Sequence, residues 1–228
     1  MTQSELASRI DHSLLSPQAT EDDIDRIIAE AISHRFAAVC VAPVFVRRVS
    51  RGLAGSGVRT CSVIGFPHGT SKPTLKAIEA TAAVKDGADE IDVVAHLPSL
   101  VAGDVDAAKA ELSEIVRGAR AVRREVVIKV IVESALLMRE NPGREEAVIA
   151  AACRAVRESG GDFIKTSTGY HPAGGSSIEA VRLMKAHGEA LQIKASGGIR
   201  DLATAMALLD AGADRLGMSA SVSVIQEL

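Results

Sequence analysis

Three times along the chain, a stretch of helical periodicity stops at a glycine and an aspartate follows two residues later, directly ahead of an apolar run. The three are Gly87-Ala88-Asp89, Gly160-Gly161-Asp162 and Gly212-Ala213-Asp214. Glycine just past a helix end supplies the left-handed conformation that terminates it, so the recurrence marks one helix–turn–strand unit used repeatedly. Short strand-like runs occur eight times: IDHSLL, AAVCVA, RTCSVI, EIDVV, VVIKVIV, DFIKT, LQIKA and DRLGM. Amphipathic stretches lie between most of them, near residues 73–86, 104–121, 143–158, 177–187 and 200–211. The plainest is TEDDIDRIIAEAISH, where Ile24, Ile27, Ile28, Ala31 and Ile32 share one face and Thr20 with Asp23 makes a capping pair.

Strand–helix alternation gives a parallel sheet. Eight units within 228 residues predict an α/β, single-domain (β/α)₈ TIM barrel spanning residues 1–228. A doubly wound open sheet shares the alternation, but usually carries a Gly-rich nucleotide loop after its first strand. GLAGSGV has its glycines at the wrong spacing for that loop, and no Walker-type lysine loop is present.

Composition excludes several partners. A net charge of −3 gives no reason to expect nucleic acid or an anionic membrane. With aromatic residues at 2% and no tryptophan, base-stacking platforms are not expected either. No apolar run approaches membrane-spanning length. The opening MTQSELASRIDHSLL lacks the basic and apolar regions of a secretory signal. Three cysteines, Cys40, Cys61 and Cys153, form no C-x-x-C pair and fit a reducing compartment. The expectation is a cytoplasmic protein.

Side chains alternate faces along a strand. In EIDVV, Ile91 and Val93 flank Asp92; in VVIKVIV, Ile128 and Val130 flank Lys129; Val39 and Val41 flank Cys40. Placing the β-branched residues under the helices leaves Cys40, Asp92, Lys129, Lys165 and Lys194 pointing into the barrel. One such lysine is readily explained as a strand-end residue extending to solvent. Three lysines and one carboxylate in a shared interior are not, because their positive charge is in excess. Strands sit about 4.8 Å apart, and two ammonium groups at about 5 Å repel by roughly 3 kcal/mol at an effective dielectric of about 20. That pushes a lysine from about 10.4 toward about 8. A neutral amine is a nucleophile, and Schiff-base chemistry with a carbonyl is its obvious use.

Beyond the lysines, LQIKA runs into Ser196-Gly197-Gly198, and DRLGM into Ser219. Barrels often bind phosphate with the loops after strands 7 and 8, where glycines let backbone N–H groups approach closely. Thr166, Thr168 and Gly169 line the same side. GFPHG (65–69) and HLPSL (96–100) read as loops shaping the mouth. His12, His68, His96 and His171 show no metal-ligand spacing, and Cys40 has no evident base and reads as pocket wall.

Taken together, DFIKTSTG, the inward Asp92, VIKVIVE and IKASGGIR resemble deoxyribose-phosphate aldolases, from IDHSLL through VCVAP and FPHG to RLGMS. The resemblance implies a class I, metal-free and cofactor-free lyase. It would interconvert 2-deoxy-D-ribose 5-phosphate with acetaldehyde and D-glyceraldehyde 3-phosphate, and self-association into homo-oligomers is frequent in that family. It implies Lys165 as the Schiff-base lysine, Lys194 as the second lysine that perturbs it, and Asp92 as the relay acid. Lys129 and Cys40 match pocket residues, while Gly169, Gly197, Gly198 and Ser219 match the phosphate cradle. Met218, Ala220 and Tyr170 depart from the family pattern, and SVIQEL lacks the tyrosine-bearing tail of some members. Two other readings stay open: a sister class I aldolase with another carbonyl donor, such as dihydroxyacetone phosphate, and a non-catalytic sugar-phosphate-binding barrel.

Overall fold

The eight apolar runs form eight parallel strands: β1 (Ile10–Leu14), β2 (Ala38–Val41), β3 (Arg59–Ile64), β4 (Glu90–Val94), β5 (Val127–Ile131), β6 (Phe163–Lys165), β7 (Gln192–Ser196) and β8 (Arg215–Met218). The computed structural model describes residues 1–228, and in it β8 pairs back onto β1, closing a (β/α)₈ barrel in sequential order. The helices are α1 (Gln3–Ala7), α2 (Glu21–His34), α3 (Val46–Gly52), α4 (Pro73–Lys85), α5 (Leu97–Val101), α6 (Val105–Val122), α7 (Ser134–Glu140), α8 (Glu145–Ser159), α9 (Ile178–His187), α10 (Leu202–Asp210) and α11 (Ser221–Gln226). Thr20 and Asp23 cap α2 reciprocally, as their spacing predicts. The open-sheet alternative falls with the closure.

One expectation is corrected. HLPSL does not remain a loop: Leu97–Val101 form α5, with Pro98 in its first turn, where a missing N–H costs nothing. The sequence also gave no sign of α3 and α7. Each is seven residues long, too short to establish helical periodicity.

The recurring aspartates turn out to clamp the strands. Asp89 accepts the Thr60 N–H through Oδ2 at 2.9 Å, Asp162 that of Ile128 at 2.8 Å, and Asp214 that of Ile193 at 2.8 Å. Each aspartate also donates its own N–H, at 2.8 Å, to the carbonyl of the same residue. A two-point grip therefore ties each helix–strand junction to the preceding strand, at β3, β5 and β7. These junctions lie at the strand N-termini, opposite the end where barrels of this class carry chemistry.

Strand parity divides the molecule into two interiors. Val39, Val41, Ile91, Val93, Ile128, Val130, Ile164 and Ile193 pack outward against the helices, in a core of 56 buried residues. Inside the barrel lies a much smaller apolar cluster, Ala38, Cys40, Cys61 and Val63, with Phe163 beneath Arg215. Stability thus comes mainly from the layer between sheet and helices, leaving the barrel axis to polar groups. No helix is long and apolar enough to cross a membrane.

The clamp has a measurable consequence. Asp214→Ala strands the Ile193 N–H and is expected to lower unfolding free energy by about 1–3 kcal/mol. Asp214→Asn keeps an acceptor and should recover most of it, as read by urea denaturation.

Candidate active site

Along the barrel axis, charged side chains form a connected network. Asp92 on β4 is its centre. Its Oδ1 accepts Lys129 Nζ at 2.8 Å and the Cys61 thiol at 3.2 Å; its Oδ2 accepts both Lys165 Nζ and Lys194 Nζ at 2.7 Å. Lys129 also pairs with Glu90 Oε2 at 2.6 Å. Lys194 is held a second time by Asp11, whose other oxygen takes Arg215 at 2.5 Å. Arg215 in turn reaches Glu90 at 3.3 Å. The half-exposed Arg59 closes the lower end of the network on Glu90 at 2.8 Å.

The parity reading therefore holds for Asp92, Lys129, Lys165 and Lys194, but its charge estimate does not. Asp11, Glu90 and Arg215 were missed, although Glu90 stands two residues before Asp92 and so shares its face. The interior carries four cations (Lys129, Lys165, Lys194 and Arg215) against three carboxylates (Asp11, Glu90 and Asp92). The excess is one charge, not two, and neither Lys129 nor Lys194 is pressed down. Burial disfavours the charged form of Lys194, but Asp11 and Asp92 outweigh it and hold the group above its ordinary value. Lys129 is likewise opposed by burial, yet raised well above the usual range by Asp92, Cys61, Glu90 and Asp11. Burial would raise Asp92, but Lys129, Lys165 and Lys194 hold it well below the carboxylate range.

At the C-terminal ends of the strands the network meets a cavity of about 320 Å³. Lys165 lines it; Lys129, Lys194 and Asp92 do not, being fully buried underneath at 0% exposure. Of the predicted site residues, Thr168, Gly169, Gly197, Gly198 and Ser219 also line this cavity. Thr166 and Cys40 do not. The Thr166 hydroxyl accepts the Ser196 N–H at 3.0 Å and donates to the Ser196 carbonyl, securing β6 to β7. Cys40 is enclosed in the small apolar cluster beneath.

Around the cavity rim, the N–H groups of Gly169, Gly197, Gly198 and Ser219 have no acceptor within the chain. Gly197 is conformationally required, with φ +88° and Cα atoms of Gly175 and Gly169 only 3.0 and 3.2 Å from where a Cβ would stand. Arg200, the last residue of IKASGGIR, supplies the one other cation lining the cavity. Ser13 and Leu14 at the end of β1, with Leu15 and Ser16 just beyond it, form another wall that was missed, because IDHSLL carries no chemical signature of its own.

Tyr170 and Met218 both line the cavity, whereas Ala220 does not. The Tyr170 hydroxyl donates to the Leu15 carbonyl at 2.9 Å and its ring meets Phe66 edge-on at 5.3 Å. It thereby joins the segments following β1, β3 and β6. As for metals, Cys40, Cys61 and Asp92 lie close enough to offer a cation three ligand atoms, but both Asp92 oxygens already accept from ammonium groups. The donor set fits ion pairing better than metal ligation.

Comparison with known proteins gives a consistent result. A model described as DeoC/LacD family aldolase matches residues 6–226. The chain is 46% identical over 228 residues to the deoxyribose-phosphate aldolase of Mycobacterium avium, covering 100% of this chain and 98% of that protein. It is 44% identical to the enzyme of the same name from Mycobacterium tuberculosis, at 100% and 97% coverage. Among solved structures, a putative deoxyribose-phosphate aldolase from Coccidioides immitis superposes with a TM-score of 0.90 at 36% identity, covering 100% of this chain and 86% of that one. The tetrameric deoxyribose phosphate aldolase from Aeropyrum pernix gives 0.88 at 35% identity, with 99% and 92% coverage.

The unequal pairing of the lysines separates their roles energetically. Lys129→Met takes the fully buried cation from Glu90 Oε2 and Asp92 Oδ1, leaving Glu90 to the longer Arg215 contact and the half-exposed Arg59 and Oδ1 to the Cys61 thiol, and is expected to cost about 3–5 kcal/mol of unfolding free energy in urea at pH 7. Lys165→Met removes the surplus cation and leaves Asp92 paired with Lys129 and Lys194, so its cost should stay below about 1 kcal/mol.

Proposed function

The chain belongs to the DeoC/LacD family of aldolases, and from that premise we propose that it interconverts 2-deoxy-D-ribose 5-phosphate with acetaldehyde and D-glyceraldehyde 3-phosphate through an imine on Lys165. One observation carries the assignment of the nucleophile: of three lysines on the barrel axis, only Lys165 opens onto the cavity. Charge balance supports it. When Lys165 gives up its proton, three cations remain for three carboxylates, and no buried acid loses its last partner. At rest Lys194, gripped by Asp11 and Asp92, holds its proton.

The neutral Lys165 amine attacks C1 of the open-chain sugar, and loss of water gives an iminium. Removal of the C3 hydroxyl proton then breaks the C2–C3 bond, whose electron pair moves into the iminium to form an enamine. D-Glyceraldehyde 3-phosphate leaves, the enamine takes a proton at C2, and hydrolysis releases acetaldehyde and the free lysine. Each proton transfer needs a positioned acid or base. Asp92 and Lys194, joined to each other and to Lys165 through one oxygen, serve as that relay. Asp92 holds the lysines in place, and Lys129 fixes Asp92 from the other side.

The phosphate binds at the far side of the cavity, on the free N–H groups of Gly169, Gly197, Gly198 and Ser219, with Arg200 as counter-charge. Tyr170 brings no charge here and instead shapes the mouth. Lys129 and Cys40 act from beneath the cavity rather than on the substrate. The tetrameric Aeropyrum pernix relative supports a homo-oligomer, and exposed Leu75 and Ile78 on α4 offer apolar surface for one.

Cleavage of 2-deoxy-D-ribose 5-phosphate, followed as acetaldehyde release, tests the reading. Lys165→Met should lower kcat at least about 10³-fold, the scale of losing a covalent nucleophile. In the synthetic direction, acetaldehyde should serve as donor to D-glyceraldehyde 3-phosphate and dihydroxyacetone phosphate should not. Preference for the latter would replace this reading with the sister aldolase, and substrate binding without turnover would leave only a binding barrel.

A further inference from the structure

Glu133, just beyond β5, combines three costly features. It is 1% exposed. Its backbone is left-handed, at φ 51° and ψ 60°, a region that non-glycine residues occupy under strain. One carboxylate oxygen, Oε2, is buried without a hydrogen-bond partner. The two other buried side-chain polar atoms lacking partners, Ser134 Oγ and Ser167 Oγ, belong to the same stretch of β5 and β6 loops. Groups left unsatisfied in this way call for an explanation beyond stability.

The hydrogen bonds supply one. Val132 N–H donates to the Lys165 carbonyl at 3.0 Å, and Ser134 N–H to the Thr166 carbonyl at 2.8 Å. Between them the left-handed residue turns its side chain toward the loop after β6, where Glu133 Oε1 accepts the Thr168 N–H at 2.6 Å. Thr168 is thereby fixed, its hydroxyl accepts the Tyr170 N–H at 3.1 Å, and Gly169 between them is left with a free N–H at the cavity.

We propose that Glu133 is a positioning residue that holds the Thr168–Gly169 edge of the cavity in its anion-binding shape. The carboxylate touches no reacting atom. It fixes the Thr168 amide, and through that residue determines where the Gly169 N–H points. The inference rests on the cavity end at Gly169 being the phosphate subsite. Strain at Glu133 is tolerated because it delivers the acceptor to a loop that lacks one.

Three variants test this: Glu133→Gln, Glu133→Ala and Glu133→Gly, assayed with 2-deoxyribose 5-phosphate and with unphosphorylated 2-deoxyribose. Glycine adopts the left-handed backbone without strain, so Glu133→Gly keeps the chain folded while removing the acceptor. Expected are a KM for the phosphorylated sugar raised about tenfold or more in Glu133→Ala and Glu133→Gly, and a kcat within about threefold of wild type. The KM for 2-deoxyribose should be unmoved, and Glu133→Gln, whose amide oxygen still accepts, should stay near wild type. Alanine and glycine variants matching wild type, equal KM rises for both sugars, or a glutamine variant as impaired as alanine would each overturn the proposal. Failure of the wild-type chain to turn over 2-deoxyribose 5-phosphate would instead remove the functional reading on which it rests.

Discussion

One carboxylate organises the functional half of this barrel. Asp92 accepts hydrogen bonds from Lys129, Lys165 and Lys194 at once, in a place where none of the four side chains is more than 3% exposed. Isolated charges at such depth would cost several kcal/mol each. They persist because each is answered by another, through Asp11, Glu90 and Arg215 down to the opposite end of the barrel. The network closes on all groups except one positive charge, and the lysine at its upper end is the one that meets the cavity.

Such an interior is feasible because it carries little of the folding load. The apolar core lies between strands and helices, and the aspartate clamps at the strand N-termini add register where no substrate goes. Chemistry and stability therefore occupy opposite faces of the same strands, and period-2 alternation separates them. The segments that line the cavity after β6, β7 and β8 are irregular backbone with free N–H groups at Gly169, Gly197, Gly198 and Ser219, a form that can surround an anion.

Much of this was legible in the residues. Alternating strand and helix patterns, punctuated by Gly-x-Asp, specified the barrel, and parity alone placed Asp92, Lys129, Lys165 and Lys194 inside. Parity also puts Glu90 on the face of Asp92, but its charge is cancelled by Arg215, so the pair alone leaves the excess at two; it is Asp11 that lowers it to one. Asp11 was harder, since IDHSLL alternates too weakly to assign its faces. Thr166 and Thr168 look equivalent in DFIKTSTGY, yet one bonds across to β7 and the other lines the cavity. That distinction depends on where the strand ends, which local pattern does not fix. Glu133 gave no signal, because a left-handed backbone at a glutamate has no sequence mark.

Borohydride reduction in the presence of acetaldehyde, followed by peptide mass mapping, tests the central claim most directly. If Lys165 is the surplus cation that becomes the amine, a reduced two-carbon adduct should appear on Lys165 and on neither Lys129 nor Lys194. An adduct on Lys194, or none on any of the three, would contradict the account.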